Sequence, residues 1–205
     1  AVKILAQRAA ENGFKTTIGN TASYGGTPSE QVNVEYTYKP ADKVMLNKNE
    51  IGGTNRLAHY KVTLNPAGAT LNGGEDVEAT DTFSKNLNIL YDTISFDKPE
   101  AVTTYNVSGH VATFFIKDST PVTVTYDATI IGTGSQVLSN VAKISGQEAE
   151  EKVSKDFSNT GGGTASDVAI KILKQETGHM EIRLQDVKFQ LYDGNNDQPM
   201  SYGDG

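Results

Sequence analysis

The chain has 205 residues and a formal net charge of −7, with 37% hydrophobic residues, 20 glycines and no cysteine. An acidic chain without a basic patch is no nucleic-acid binder, and no apolar run approaches the roughly 18 residues of a membrane span. The missing cysteines exclude disulfides, Cys-ligated zinc and thiol catalysis. Val, Thr, Tyr, Ile and Phe dominate the apolar runs, with glycines between them, which favours strands over helices. The sequence does not begin with Met and carries no visible signal peptide, so it reads as an internal piece of something longer.

Residues 1–12 are the one good helix candidate: Val2, Leu5, Ala6 and Ala9 share a face, and Asn12–Gly13 is a plausible stop. The strand IGNTA follows at 18–22, with Asn20 on the parity of Ile18 and Ala22, then a turn-rich stretch, then Val32–Tyr38 with Val32, Val34, Tyr36 and Tyr38 alternating with polar residues. Residues 1–38 are expected to be the tail of a preceding β-sandwich domain. Lys39–Pro40 breaks the pattern, and a fresh domain is expected over 39–155. Its strands are ADKVML from Ala41; HYKVTLN, with Tyr60, Val62 and Leu64 on one face; VEATDTF, with Val77, Ala79, Asp81 and Phe83 on one face; and Leu87–Ile94. Short strands around Tyr105 and over Val111–Ile116 follow, then Val122–Ile131 with Val122, Val124, Tyr126, Ala128 and Ile130 inward. The strand VLSNVAKI at Val137–Ile144 is expected to close the domain, with Leu138, Asn140, Ala142 and Ile144 on the buried face. Strands at this spacing without interleaved helices predict an all-β, immunoglobulin-like sandwich.

The charged run Glu148–Lys155 is expected to be a solvated lead into a Gly/Ser/Thr linker at 156–166. The GGGT within it lacks the Lys-Ser/Thr ending of a phosphate-cradling loop. Residues 167–205 begin a third, truncated β module, with strands at VAIKILK and FQLY and a turn at DGNNDQP. Asp193, Asn195 and Asp197 in that turn have the alternate spacing of a calcium loop but no closing Glu. His59, His110 and His179 are scattered, with no triad or metal spacing. No cofactor or metal site is expected.

The chemistry lies in three polar residues placed among apolar ones. A buried amide such as Asn140 costs roughly 1–3 kcal/mol without a partner, and Asp81 repeats the oddity as a carboxyl on the face of Val77, Ala79 and Phe83. Lys43 lies on the domain's first strand, beside Met45. Desolvation would lower the amine's proton affinity and leave it nucleophilic, and a protonated Asp81 would donate to the Asn140 carbonyl and shuttle protons as ammonia leaves. The product is an amide bond from Lys43 to Asn140 across the sandwich. Taken singly, each residue has a plainer reading: Asn140 as a hydrogen-bonded core asparagine, Asp81 as a strand-end cap.

The segments HYKVTLNPAGATLNGGEDVEATDTF, VTVTYDATI and SNVAKISG, in that order, resemble the isopeptide-forming domains of Gram-positive surface adhesins and pilins, with their collagen-adhesin A-type immunoglobulin-like fold. AIKILKQETGHMEIRLQDVKFQLYD resembles the opening of a B-type, or SpaA-like, domain of the same proteins. The resemblance covers most of residues 32–193 and implies an autocatalytic Lys–Asn bond assisted by an acid. It matches Asn140 to the closing N-x-A motif, Asp81 to the acid of T-D-T, and Lys43, Lys39 or Lys48 to the first-strand lysine. By the same match Asn20 would be the cross-link residue of a preceding domain and Lys174 that of the third. The resemblance further implies a stalk or shaft segment on a Gram-positive cell wall, extracellular, with a single self-directed reaction and no turnover. Its partners would be adjacent domains of the same chain. The alternative is a ligand-binding adhesin module that grips host extracellular matrix or glycans.

Overall fold

The computed structural model describes residues 2–158, 175–176 and 179–183. The chain divides into two compact units, 1–161 and 162–205. The second contributes two short strands to the described residues.

The first unit opens with helix α1 (Val2–Glu11), whose Ala6 and Ala9 are buried one turn apart on a single stripe. Val2, expected on that face, is exposed. The helix stops where Asn12 Nδ2 donates to the Arg8 carbonyl and Gly13 and Phe14 take positive φ. Strands β1 (Lys15–Asn20) and β4 (Val32–Thr37) pair antiparallel as a two-stranded ribbon, with β2 (Ser23–Tyr24) and β3 (Thr27–Pro28) forming the turn region between them.

The sandwich follows: β5 (Ala41–Met45), β6 (Leu57–Leu64), β7 (Val77–Phe83), β8 (Leu87–Ile89), β9 (Ser95–Phe96), β10 (Val102–Ser108), β11 (Val111–Ile116), β12 (Val122–Ile130), β13 (Gly134–Ile144) and β14 (Gln147–Phe157). One sheet runs β10-β11-β7-β13-β14; the other runs β5-β6-β12-β8, with β9 also on β12. Every pairing within the two sheets is antiparallel. Inward residues alternate strictly: Ala58, Tyr60, Val62 and Leu64 on β6, Val122, Val124, Tyr126, Ala128 and Ile130 on β12, Leu138, Asn140, Ala142 and Ile144 on β13. The fold is the all-β, immunoglobulin-like sandwich that the alternation predicts.

Three expectations are corrected. The Asn140 strand does not close the domain: Ser145 and Gly146, both with positive φ, make a two-residue turn, and the charged run then returns as the 11-residue edge strand β14, paired with β13 along its whole length. Asp156 and Phe157, expected in the linker, end this strand instead, and Phe157 is buried. The run Leu87–Ile94 is a strand only to Ile89, after which Tyr91–Thr93 form a 3-10 turn.

The N-terminal 38 residues, expected as a tail of a preceding domain, pack their helix on a loop of the sandwich. Ala6, Ala9, Tyr38 and Ala69 form a small second core, and Gln7 Oε1 accepts from the Thr70 amide. Asn65 organises that loop. It is fully buried at φ 50°, a left-handed conformation that asparagine tolerates better than most residues. Its Oδ1 accepts from the Tyr38 hydroxyl at 2.6 Å and the Ala69 amide at 2.9 Å, while Nδ2 donates to the Ala69 carbonyl at 2.8 Å. Asn65→Ala strands these buried partners and should cost about 2 kcal/mol, read as a lower urea midpoint. An unchanged midpoint would mean that packing alone holds the loop.

In the second unit, β15 (Gln175–Glu176) pairs antiparallel with β16 (His179–Arg183). Lys174, the VAIKILK and FQLY strands, the GGGT tract and the DGNNDQP turn lie outside the described residues.

Candidate cross-linking site

Lys43, Asp81 and Asn140 come from three strands in two sheets, and the fold brings all three into one buried cluster. On β5 the odd-numbered residues Ala41, Lys43 and Met45 face inward, which sends the Lys43 side chain between the sheets, fully buried. Asp81 sits at the middle of β7, opposite Ala112 of β11 and Ala142 of β13. Alanine on both flanks leaves room for the lysine to reach it. Asn140 lies two residues before Ala142 on β13, opposite Phe83, and is fully buried.

Lys43 Nζ donates to both oxygens of Asp81, at 2.5 and 2.6 Å, and to the Tyr126 hydroxyl at 2.7 Å. Asn140 Nδ2 donates to the same hydroxyl, also at 2.7 Å. Tyr126 in turn donates to Asp81 Oδ2 in a very short hydrogen bond. Nζ and Nδ2 are therefore no further apart than twice that 2.7 Å distance. Among the described residues, the Asn140 carbonyl oxygen and the Tyr60 hydroxyl are buried without a hydrogen-bond partner. Three aromatic rings enclose the amine: Tyr60, Tyr126 and Phe83, with centroids 5.1, 5.4 and 5.8 Å from Nζ.

Burial pushes the Lys43 ammonium down from its ordinary 10.5 to about 8, against the pull of the Asp81 carboxylate, its hydrogen bond and the more distant Glu151. Glu151 belongs to this neighbourhood because β14 sets it opposite Asn140. Burial, then the charge of Asp81, raises Tyr126 well above the ordinary tyrosine value. Tyr60 is raised in the same way.

Lys39 and Lys48, the other candidate lysines, are exposed, and Lys48 lies 3.8 Å from Glu151. Asn20 is exposed on the β1–β4 ribbon, outside this cluster. Tyr126 is the member that sequence reasoning passed over: its inward parity was legible, its role as the hub was not.

Fold and cluster together define a class: a two-sheet sandwich that holds an amine, an amide, a carboxyl and a phenol in one enclosed site. Solved structures that this chain resembles include surface proteins of Gram-positive bacteria. They include the collagen-binding domain of the Erysipelothrix rhusiopathiae surface protein RspB, at TM-score 0.40 and 16% identity over 69% of this chain and 56% of that one. The T6 backbone pilin of serotype M6 Streptococcus pyogenes aligns at TM-score 0.42 and 11% identity over 71% and 43%. The collagen adhesin of S. aureus aligns at TM-score 0.38 and 10% identity over 62% and 52%. This chain thus spans about half the length of each of these three. At such identities no residue role transfers from them. No family model matches the sequence, and no curated protein matches it.

Proposed function

We propose that this chain is a structural segment of a bacterial cell-surface adhesin or pilus-like protein, and that its sandwich staples itself with an amide bond between Lys43 and Asn140. The observation that carries this reading is that Lys43 Nζ and Asn140 Nδ2 hydrogen-bond the same buried hydroxyl, with Asp81 in contact with the amine. The reaction needs a neutral amine, and burial favours that form. It needs reactants held within a few ångströms in a dry site, where orientation replaces a bimolecular encounter. The nitrogen of Lys43 bonds to Cγ of Asn140, the Cγ–Nδ2 bond breaks, and ammonia leaves. Asp81 takes up a proton that the amine gives up and passes one on toward the departing nitrogen, which leaves as ammonia.

The bond would join β5 of one sheet to β13 of the other. A pull applied to the two ends of the domain would pass through it and spare the strands between, a property suited to a stalk. The surface location, the cell-wall setting and the Gram-positive origin follow from the sequence resemblance. So does the role of Lys174 in a further domain, and so do partners among adjacent domains and host matrix or glycans. Intact-mass spectrometry tests the core of the reading. The purified chain is expected to weigh one ammonia less than its sequence, and a peptide map should recover Lys43 and Asn140 in one branched fragment. A full sequence mass overturns it and leaves a buried ion-pair network.

A further inference from the structure

The cross-link reading requires a proton to reach the departing nitrogen of Asn140, and among the described residues no hydrogen bond joins Asp81 to that amide. Among the described residues, the only hydrogen bond of the Asn140 side chain is the one from Nδ2 to the Tyr126 hydroxyl. The hydroxyl is bonded on its other sides to Asp81 Oδ2 and Lys43 Nζ. We propose that Tyr126 is a catalytic residue of the cross-linking, relaying a proton from Asp81 to Nδ2 of Asn140. This rests on the cross-link reading above and deepens it.

The protons balance along that path. Asp81 first takes a proton from the Lys43 ammonium, leaving a neutral amine and a carboxylic acid. As Nζ bonds to Cγ, the amide nitrogen loses its conjugation with the carbonyl and becomes basic. Tyr126 gives Nδ2 its proton and is refilled in the same movement by Asp81. Collapse of the tetrahedral carbon restores the carbonyl and breaks the Cγ–Nδ2 bond. The second proton of Nζ then returns to Asp81. One ammonia departs, one amide forms, and the phenol ends as it began.

The site suits a neutral relay. Tyr126 is 2% exposed, sits on the centre of β12 and is packed between Tyr60, stacked at 5.5 Å, and Phe83, edge-on at 5.6 Å. Those rings fix its hydroxyl where strands β5, β7 and β13 deliver the other three groups. Burial and the Asp81 charge keep it a phenol at neutral pH, able to donate and accept at once. The titratable groups facing it are Lys43, Asp81 and Tyr60, with Glu151 at the edge.

The test follows ammonia loss by intact mass, on the full 205-residue chain, from cell-free synthesis onward. Tyr126→Phe keeps the ring and removes the relay, so cross-linking should slow by roughly a hundredfold or more, in the range of general acid–base contributions. Tyr105→Phe, in the separate cluster with Tyr91, Phe96 and Phe114, should react at the wild-type rate. A chain with difluorotyrosine at position 126 keeps the hydroxyl and makes it more acidic. It should still cross-link, with the alkaline limb of its pH–rate profile displaced to lower pH. This variant also keeps the proposal testable if Tyr126→Phe does not fold, as judged by circular dichroism. If wild type loses ammonia and Tyr126→Phe loses it equally fast, the relay is wrong and the cross-link stands. A fluorinated chain with an unshifted profile also overturns the relay. If wild type keeps its full mass, the cross-link falls and the relay with it.

Discussion

Asn140→Ala should restore the mass of one ammonia and lower the melting temperature by roughly 10–20 °C. The two effects share a cause. In the wild-type chain the proposed bond closes a loop of about 100 residues, and a cross-link over that span stabilises by about 4–5 kcal/mol through the entropy it removes from the unfolded chain. The substitution leaves the rest of the cluster in place: Lys43 still contacts Asp81 and Tyr126, and Tyr126 still donates to Asp81. The loss is therefore attributable to the bond more cleanly than in Lys43→Ala. That change would also strand the Asp81 carboxyl in the core, a penalty of about 3–5 kcal/mol on its own. Paired mass and calorimetry on wild type and variant read both quantities. Full sequence mass in both chains and superimposable melts would remove the cross-link from this domain.

The strands that carry Asp81 and Asn140 were legible because they alternate without a break. β7 and β13 each carry one polar residue at an inward position, and the structure keeps both inward. The choice among Lys39, Lys43 and Lys48 was not legible, since it depends on where β5 begins and which parity it presents. The strand starts at Ala41, and Lys43 faces in. Edge strand β14 was missed for a compositional reason: Ala149, Val153 and Phe157 share its inward parity with Gln147, Glu151 and Lys155, which dilutes the apolar signal. The Ser-Gly pair at 145–146 was the available clue.

Val32 and Val34 show the opposite limit. Their alternation is genuine, yet both are exposed, because among the described residues β4 pairs only with β1. Periodicity tells two faces apart and says nothing of what covers either. By parity alone Tyr126 is one more core side chain among Val122, Val124, Ala128 and Ile130. A phenol buried among aliphatics needs a partner for its hydroxyl, and asking which partner would have pointed across the sandwich to the site.

Between about pH 8 and pH 10, the Asn140→Ala chain should gain roughly 2–3 kcal/mol of stability relative to wild type. In the variant Lys43 remains an amine. Burial pushes its folded-state value down to about 8 although Asp81 pulls the other way, while the unfolded chain titrates near the ordinary 10.5. Within that window the unfolded chain holds a proton that the folded chain has released, so raising the pH favours folding. Below about 8 both states are protonated and the penalty of burying the ammonium is felt in full; above the ordinary value neither state is protonated and the dependence ends. In wild type the same nitrogen would be an amide with no proton to lose, so this contribution would be absent. The raised tyrosines Tyr38, Tyr60 and Tyr126 lose stability with rising pH in both chains and largely cancel in the difference. Urea midpoints of the two chains across this range provide the measurement. Two curves that climb together would mean that Lys43 is a free amine in both, and the bond would then be absent from wild type as well.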